Sequence, residues 1–253
     1  MTVIGTLDAE ARRTAMLRLL EERGALHLHE SAESWHVHPM TVRRDFDELV
    51  ASGAARRVRG GIVTLGGDAF AQRRYRHADA KRRIAEKLRD LVAPGSLIAM
   101  DSSTTVHRLA DSIAGIDDVA VLTNGLAAFQ SLHGREGVTA YLTGGERDEE
   151  NLSLVGPLAV LSVRQFTFDT CFLSARNVDS EFGTSETTLH QVAVKQAMVD
   201  TARRCVLAVD SSKLETRARI RSVPLPRFDV LVTELEPEDP RLDPYRHLVP
   251  SLL

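Results

Sequence analysis

Two parts of the chain carry side chains that could do chemistry. The first is basic, with Arg43-Arg44 followed by Arg56-Arg57-Val58-Arg59. Guanidinium groups bind phosphate oxygens and the edges of guanine. The second consists of four polar clusters, each directly after an apolar run: Asp101-Ser102-Ser103-Thr104-Thr105, Thr123-Asn124-Gly125, Thr143-Gly144-Gly145 and Asp210-Ser211-Ser212-Lys213. Hydroxyls, free backbone amides and a lysine suit a phosphate, and carboxamides suit sugar hydroxyls. Both patterns predict anionic partners.

Composition limits the class of protein that could present these groups. The 253 residues are 43% hydrophobic and 26% charged, which is typical of a globular chain with one large or two smaller domains. No run has the length of a membrane-spanning helix, and residues 1–10 lack a signal-peptide pattern. Cys171 and Cys205 lie in apolar runs, so we expect buried thiols in a reducing compartment and a cytoplasmic protein.

The net charge of −3 conceals an uneven distribution. Residues 1–83 hold 15 basic and 11 acidic side chains, whereas residues 84–253 hold 17 and 24. Within 39–83 the count is 11 to 5, in four clusters. A local basic surface on an acidic chain favours a partner that is anionic over a limited area, such as duplex DNA. A solvated helix face is the simpler explanation of any one cluster, whereas four clusters in so short a segment favour the anionic partner.

The elements around the first basic pair resemble a helix-turn-helix. The sequence predicts helices over 8–23, ending at Gly24, over 28–35, and from Pro39 to just before Gly53. In the third helix an apolar stripe predicts the core-facing side: Val42, Phe46, Leu49 and Val50. The outward residues are predicted to read DNA in the major groove: Met40, Thr41, Arg43, Arg44 and Asp47.

A basic hairpin follows the third helix. The Gly60-Gly61 pair separates two strand-like runs within residues 54–65. Arg56, Arg57, Arg59 and Gly60 are therefore predicted to contact the DNA backbone as a wing. The predicted organisation is a winged helix-turn-helix domain over 1–65, a linker over 66–78 and a second domain over 79–253.

The second domain alternates helix-like and strand-like segments. Short apolar strands are predicted at 97–100, 119–122, 138–142, 168–174, 205–209 and 230–232. Helices are predicted at 80–93, 105–114, 126–133, 157–164 and 188–202. This alternation predicts an α/β fold with a mainly parallel sheet, whose strand ends meet at one ligand-binding edge.

The four polar clusters divide the predicted ligand contacts among them. Ser102, Ser103, Thr104 and Thr105 form a predicted phosphate loop at a helix N-terminus, with Lys213 as the cation. The predicted sugar contacts are Asp101, Thr123 and Asn124 for hydroxyls, and Gly144 and Gly145 for close approach to the backbone. A turn or helix cap explains each cluster alone; four at one edge favour a binding site.

These motifs resemble the DeoR family of bacterial transcriptional regulators. The resemblance rests on Thr41-Val42-Arg43-Arg44-Asp45-Phe46, Leu49, and Arg57-Val58-Arg59-Gly60-Gly61, followed by the strand-end clusters and Glu186 with Lys195. His38, Phe46, Arg59 and Ser103 depart from the family pattern, which has Ser, Leu, His and Gly there. The resemblance implies a sensor domain similar to ribose-5-phosphate isomerase that binds a phosphorylated sugar as effector, with Lys195 as a further contact.

Three functions fit the sequence. The first is a repressor of carbohydrate-metabolism genes that binds double-stranded operator DNA as a homodimer or homotetramer and is released by a sugar phosphate. The second is a sugar-phosphate isomerase with a basic appendage, since Asp101, Glu186 and Asp210 could each abstract a proton. The third is a protein adaptor, which the arginine cluster disfavours. We expect the repressor, with no catalytic residue, cofactor or metal; the histidines near residue 30 are interpreted as surface residues.

Overall fold

A computed structural model describes residues 8–64, 70–113 and 115–253. The chain divides into two compact units, Met1–Ala78 and Asp79–Leu253. Among the described residues, no helix combines the length and apolar character needed to cross a bilayer.

The N-terminal unit contains the three predicted helices and the predicted hairpin. Its helices are α1 (Ala9–Arg23), α2 (Leu28–Ser34), α3 (Pro39–Ala51) and α4 (Phe70–Tyr75). Its strands are β1 (Ala25–His27), β2 (Ala55–Val58) and β3 (Gly61–Thr64), which form an antiparallel sheet in the order β1-β3-β2. The short strand β1 was not predicted. It occupies the second edge of β3 and ties the wing to the start of α2.

Local chemistry sets the boundaries of these elements. Asp8 caps α1 by accepting a hydrogen bond from the Ala11 amide at 2.7 Å, and Gly24 ends the helix in the left-handed conformation. A Cβ at Gly61 would lie 2.0 Å from the Leu26 carbonyl oxygen, so β1 and β3 can approach only with glycine there. Val42, Phe46 and Leu49 are fully buried, which confirms most of the predicted stripe, while Val50 is half-buried.

Part of the predicted linker is a helix. The segment over residues 66–78 lacks clear periodicity, yet α4 occupies Phe70–Tyr75 and contacts α1. Phe70 and Tyr75 are buried, and Tyr75 belongs to the core of the N-terminal unit. With only six residues, α4 is too short to show a helical period. Residues 66–69 lie outside the described residues.

The C-terminal unit alternates helices and strands as predicted. Its helices are α5 (Ala78–Arg89), α6 (Thr104–Ser112), α7 (Leu126–Leu132), α8 (Pro157–Arg164) and α9 (Leu189–Thr201). Its strands are β4 (Leu97–Met100), β5 (Val119–Thr123), β6 (Val138–Leu142), β7 (Glu146–Asp148), β8 (Ser153–Val155), β9 (Phe168–Leu173), β10 (Asn177–Asp179), β11 (Gly183–Glu186), β12 (Ala202–Ala208), β13 (Ile220–Arg221), β14 (Val230–Val232) and β15 (Ser251–Leu252).

Seven of these strands form one parallel sheet in the order β15-β14-β12-β9-β4-β5-β6. Apolar side chains of α5, α6 and α7 cover one face, and those of α8 and α9 cover the other, giving three layers. The α/β fold with a parallel sheet is therefore confirmed. The carboxyl ends of β6, β5, β4, β9 and β12 lie next to one another along one edge.

The unpredicted strands are short and polar. The hairpin β7-β8 and the small sheet β10-β11-β13 have two to four residues per strand, and β15 has two. Segments of two to four residues are too short to show an alternating apolar pattern. Pairing with neighbouring strands sets their positions instead.

Candidate functional site

The outward side of α3 presents the predicted DNA-reading residues. Met40 is 50% exposed, Arg43, Arg44 and Asp47 are exposed, and Thr41 is half-buried. The helix begins after His38, whose Nδ1 accepts a hydrogen bond from the Met40 amide at 3.2 Å. In the described ranges (8–64, 70–113 and 115–253), Arg43 and Arg44 make neither an ion pair nor a side-chain hydrogen bond.

Two of the predicted DNA contacts bind each other. The Arg57 guanidinium on β2 donates to the Asp47 carboxylate on α3 and lies 6.0 Å from the centre of the Phe46 ring. This pair joins the wing to the recognition helix and neutralises both charges. Arg56 and Arg59, at the outer positions of the wing, are exposed and make no ion pair among the described residues. Gly60 turns the hairpin with φ of 82°.

Asp45 has a structural role that sequence reasoning missed. It is 2% exposed and accepts hydrogen bonds from Arg12 Nε at 2.6 Å and Arg12 Nη2 at 3.2 Å, while Arg13 Nη1 lies 3.5 Å away. The carboxylate therefore fixes α3 against α1. An acidic residue on the core side of an otherwise apolar stripe was the available signal, since a buried carboxylate requires a partner.

The strand-end loops of the C-terminal unit surround a buried ion cluster. Lys195 Nζ, on α9, lies 3.2 Å from Asp101 Oδ2, donates to the Ser174 carbonyl at 2.7 Å and also donates to the Glu186 carboxylate. Burial lowers the pKa of Lys195, but the carboxylates of Glu186 and Asp101 raise it more, so the pKa stands above its ordinary value. The ammonium group is thus held charged between α9 and the sheet.

Lys213 approaches the same cluster from the loop after β12. Its Nζ donates to Ser174 Oγ at 3.2 Å and to the Ala175 carbonyl at 2.9 Å, while Asp210 Oδ2 is 4.0 Å away. Burial lowers the pKa of Lys213, and Lys195 lowers it further, against the opposing effect of Asp210. Its charge is therefore less well compensated than that of Lys195.

The loop after β4 leads into α6. Asp101 Oδ1 accepts from the Ser103 amide at 3.0 Å and Oδ2 accepts from the Ser174 amide at 2.9 Å, so this carboxylate shapes the loop. Ser103 Oγ caps the Val106 amide at 3.2 Å. Within the described chain, the amides of Thr104 and Thr105 have no hydrogen-bond acceptor. This helix N-terminus can therefore accept an anion.

Among the residues that the structure describes, three buried polar atoms near this edge have no hydrogen-bond partner. They are Thr105 Oγ1 after β4, Asn124 Oδ1 after β5 and Thr143 Oγ1 after β6, and all three residues are at most 3% exposed. A buried polar atom without a partner costs about 1–3 kcal/mol. The three residues follow the adjacent strands β4, β5 and β6, and each carries a donor or acceptor that the described protein groups leave unused.

The loop after β5 is packed tightly against the loop after β4. Thr123 Oγ1 accepts from the Gly125 amide at 3.0 Å, and Asn124 Nδ2 donates to the Leu154 carbonyl at 3.0 Å. A Cβ at Gly125 would lie 2.9 Å from Ser102 Cα. The predicted residues Ser102, Thr123 and Asn124 are thus brought together.

Gly144 and Gly145 have local packing partners. The Gly144 amide donates to Ser162 Oγ on α8 at 3.1 Å, and a Cβ at Gly145 would lie 2.4 Å from the Val155 carbonyl oxygen. Glycine at 145 is therefore required by the approach of β8. In the part of the chain that the structure describes, neither glycine makes a hydrogen bond to the Asp101–Lys195 cluster.

Two further residues of the site escaped sequence analysis. Ser174 follows β9 and binds Asp101, Lys195 and Lys213 through its amide, carbonyl and hydroxyl. Gln191 Nε2 donates to Asp148 Oδ2 at 2.8 Å and Ser153 Oγ at 2.9 Å, which fastens the β7-β8 hairpin to α9. Each had a signal: Ser174 ends a strand, and Gln191 precedes Lys195 by one helical turn.

Comparison with protein families identifies both units. A family described as the DeoR-like helix-turn-helix domain matches residues 12–66, and one described as the DeoR C-terminal sensor domain matches residues 76–235. The chain belongs to the DeoR family. It is thus a DNA-binding transcriptional regulator, as the motifs predicted.

Relatives in the DeoR family align over most of their length. The glycerol-3-phosphate regulon repressor of Escherichia coli K12 is 26% identical over 229 residues, 89% of this chain and 91% of that protein. The transcriptional repressor AccR of Agrobacterium fabrum is 30% identical over 226 residues, 85% and 88%. The uncharacterized regulator YgbI of E. coli K12 is 31% identical over 227 residues, 88% and 89%.

Solved structures resemble the chain more distantly. Ribose 5-phosphate isomerase A from Methanocaldococcus jannaschii matches with a TM-score of 0.40 and 14% identity, covering 54% of each chain. A translation initiation factor eIF-2B from Pyrococcus horikoshii matches with a TM-score of 0.44 and 16% identity, covering 89% and 88%.

Proposed function

We propose that this DeoR-family regulator represses carbohydrate-metabolism genes and that a phosphorylated sugar, bound at the carboxyl edge of the sheet, releases it from operator DNA. The proposal that an effector binds here rests on one observation: among the described residues, the edge that holds Lys213 also holds three unpartnered buried atoms. They are Thr105 Oγ1, Asn124 Oδ1 and Thr143 Oγ1. The hydroxyls of such a ligand would hydrogen-bond to the unpartnered atoms, and its anionic group would pair with Lys213.

The phosphate is assigned to the N-terminus of α6. The Thr104 and Thr105 amides and the Thr105 hydroxyl supply donors, and Lys213 supplies the cation whose charge is least compensated. The sugar hydroxyls are assigned to Asn124 and Thr143. Asp101, whose oxygens already accept from Ser103, Ser174 and Lys195, is a positioning residue for this loop.

DNA contact is assigned to the outward side of α3 and the wing. Arg43 and Arg44 are assigned to the major groove with Met40 and the half-buried Thr41, because all four lie in the first turns of the helix on its outward side. Arg56 and Arg59 lie on the hairpin and contact backbone phosphates. Asp47 and Arg57 hold the wing against α3 rather than bind DNA directly.

The protein acts without turnover of its effector. Relatives of the chain carry the names of transcriptional regulators, and the carboxylates that could act as a base are engaged. Glu186 and Asp101 both bind the Lys195 ammonium group, and Asp210 accepts from the Ser212 hydroxyl. Each of these carboxylates is thus engaged by a protein group and not free to abstract a proton from a bound sugar phosphate. We infer that the effector is bound and not converted, and that the protein needs no cofactor. We also infer that it acts in the cytoplasm.

Calorimetric titration with pairs of sugar phosphates and their parent sugars tests the effector assignment. At least one sugar phosphate is expected to bind. Its parent sugar should bind at least about a hundredfold more weakly, because it lacks the charge-assisted hydrogen bonds of the phosphate group, which contribute about 1.5–3 kcal/mol each. Lys213→Ala should weaken the phosphate and leave the parent sugar unchanged. Equal affinity for phosphate and parent sugar contradicts the assignment, and turnover of the phosphate contradicts the absence of catalysis.

A further inference from the structure

The N-terminal unit contains a cavity where α4 packs on α1. Its volume is about 250 Å³, and it is lined by Thr14, Leu17, Arg18, Tyr75, Arg76 and His77. These residues, here called the α1–α4 cavity, belong neither to α3 nor to the wing, and all lie within the unit that ends at Ala78. The DNA contacts proposed above therefore leave this cavity without a role.

Two of the lining residues give the cavity an apolar wall. Leu17 is 2% exposed and Tyr75 is 6% exposed, and both belong to the core of the N-terminal unit. Tyr75 is the last residue of α4, so its ring stands where the chain leaves the helix. An apolar wall suits the body of an organic ligand better than an isolated ion. The volume is below the about 300–1,000 Å³ of drug-sized sites, which limits the ligand to a small molecule.

The charged residues of the cavity are all basic. Arg18, Arg76 and His77 line it, and no carboxylate does so among the residues described. Arg18 is exposed on α1 and makes neither an ion pair nor a side-chain hydrogen bond within the described chain. His77 follows α4 in the left-handed conformation, with φ of 53°. Basic groups without an acidic neighbour favour an anionic ligand.

One hydroxyl group of the cavity has no hydrogen-bond partner. Thr14 Oγ1 is buried and neither donates nor accepts in the part of the chain that the structure describes. Burial of a polar atom without a partner destabilises a fold, so a partner from outside the chain would be favourable. Thr14 and Arg18 are four residues apart on α1 and therefore lie on the same side of the helix. The unused hydroxyl and the unpaired guanidinium can thus bind one ligand.

We propose that the α1–α4 cavity binds a small organic anion, in which a carboxylate or phosphate group is joined to a compact apolar body. The Arg18 guanidinium and the His77 ring bind the charged group, and the Thr14 hydroxyl donates to it. The apolar body packs against Leu17 and the ring of Tyr75. A guanidinium binds carboxylate and phosphate through the same paired hydrogen bonds, so the shared chemistry is that of an oxyanion.

This site is separate from the proposed effector site. A ligand in the cavity joins α4 to α1, and α1 fixes the recognition helix through the pair of Arg12 and Asp45. Such a ligand acts on the DNA-binding unit itself, whereas the sugar phosphate acts on the sensor unit. Failure of this proposal would leave the effector and DNA assignments untouched, since neither uses a residue of the cavity.

Tyrosine-selective NMR of the full chain reports on the cavity directly. The sequence contains three tyrosines, and Tyr141 and Tyr245 lie in the other unit, where they serve as internal references. The Tyr75 signal is assigned by its loss in Tyr75→Phe. Benzoate and phenyl phosphate are the carboxylate and phosphate probes, and benzyl alcohol is the uncharged analogue.

At least one of the two anions, titrated to about 20 mM, should shift the Tyr75 signal saturably, with a dissociation constant of about 1 mM or below for a ligand of this size. Benzyl alcohol should bind at least about tenfold more weakly, because it lacks the charge-assisted hydrogen bond. Arg18→Ala should weaken the anion by a similar factor for the same reason. Arg23→Ala is the matched control on α1, since Arg23 pairs with Glu30 on the surface, and it should leave the affinity unchanged.

Three results would overturn the proposal: no shift of Tyr75 with either anion, equal affinity for benzyl alcohol, or native affinity in an Arg18→Ala protein that circular dichroism shows to be folded. Anisotropy on operator DNA examines the remaining alternative, a backbone phosphate bound at Arg18. If Arg18→Ala loses as much DNA affinity as Arg59→Ala, and Tyr75 shifts with DNA but with neither anion, the cavity is a DNA contact and the proposal is wrong.

Discussion

Lys195 Nζ lies 3.2 Å from Asp101 Oδ2, which joins helix α9 to the loop that precedes α6. The same carboxylate oxygen accepts from the Ser174 amide, and the same ammonium group donates to the Ser174 carbonyl and to Glu186. One buried cation therefore fixes three strand ends, so the cluster sets the shape of the proposed effector site before any ligand arrives.

Removing that cation should destabilise the fold. Lys195→Met leaves Asp101 and Glu186 buried without their cation, which costs about 3–5 kcal/mol. Lys87→Met is a suitable control, because Lys87 donates one hydrogen bond to the Leu235 carbonyl and its loss should cost about 1 kcal/mol. Urea unfolding at pH 7 measures the loss in free energy of unfolding for both variants. An equal loss would show that the buried cluster stabilises the fold no more than a single hydrogen bond does.

Thr105→Val should separate stability from effector binding. The substitution keeps the side-chain shape and removes a buried hydroxyl that has no partner, so the free energy of unfolding should stay constant or rise by about 1 kcal/mol. Effector affinity should fall about tenfold through the lost hydrogen bond. Thr123→Val, which removes the acceptor of the Gly125 amide, should instead lower stability. Thermal unfolding measures the change in stability, and calorimetric titration measures the change in effector affinity. A destabilised Thr105→Val protein that binds effector with full affinity would contradict the assignment of Thr105 to the effector site.

Lys213 should make effector binding depend on pH. Its pKa lies below the ordinary lysine value because of burial and Lys195, so the unliganded site loses this charge as pH rises through that lowered pKa. An anionic effector requires the protonated form. Affinity should therefore begin to fall, as pH rises, at values below the ordinary lysine pKa of about 10.4.

The arginine variant provides the control for that pH dependence. Lys213→Arg stays protonated over this range, because the guanidinium pKa exceeds about 12. Its affinity should be flat where that of the native protein declines. A native profile as flat as that of the variant would remove Lys213 from the phosphate site.

Arg44→Ala should cost about 1–3 kcal/mol in operator binding and relax the base preference at one position, if Arg44 reads a guanine edge. Arg59→Ala on the wing should weaken binding to all sequences alike and reduce the salt dependence, as expected for a phosphate contact. Anisotropy on an operator and its single-base variants distinguishes the two. A uniform loss for Arg44→Ala would reassign it to phosphate.

The sequence predicts the large elements and the edge where the polar clusters meet. The spacing of its apolar residues predicted α3, the terminating glycine Gly24 indicated the end of α1, and apolar runs predicted the sheet strands. The strand-end rule placed Asp101, Thr123 and Lys213 correctly on one edge. Contacts between individual side chains could not be predicted from the sequence. Asp47 and Arg57 were each predicted as a DNA contact. Their pairing with each other could not be predicted, because it depends on the hairpin folding back onto α3.

Operator binding and effector binding are expected to oppose each other in one chain. Fluorescence anisotropy on duplexes selected from a random pool, repeated at several salt concentrations and with a panel of sugar phosphates, measures both. We expect tight, salt-sensitive binding to an enriched repeated motif and release by one sugar phosphate, with Thr105→Val binding the same DNA but resisting release. Failure to enrich any motif at low salt, or binding that no sugar phosphate alters, would contradict this expectation.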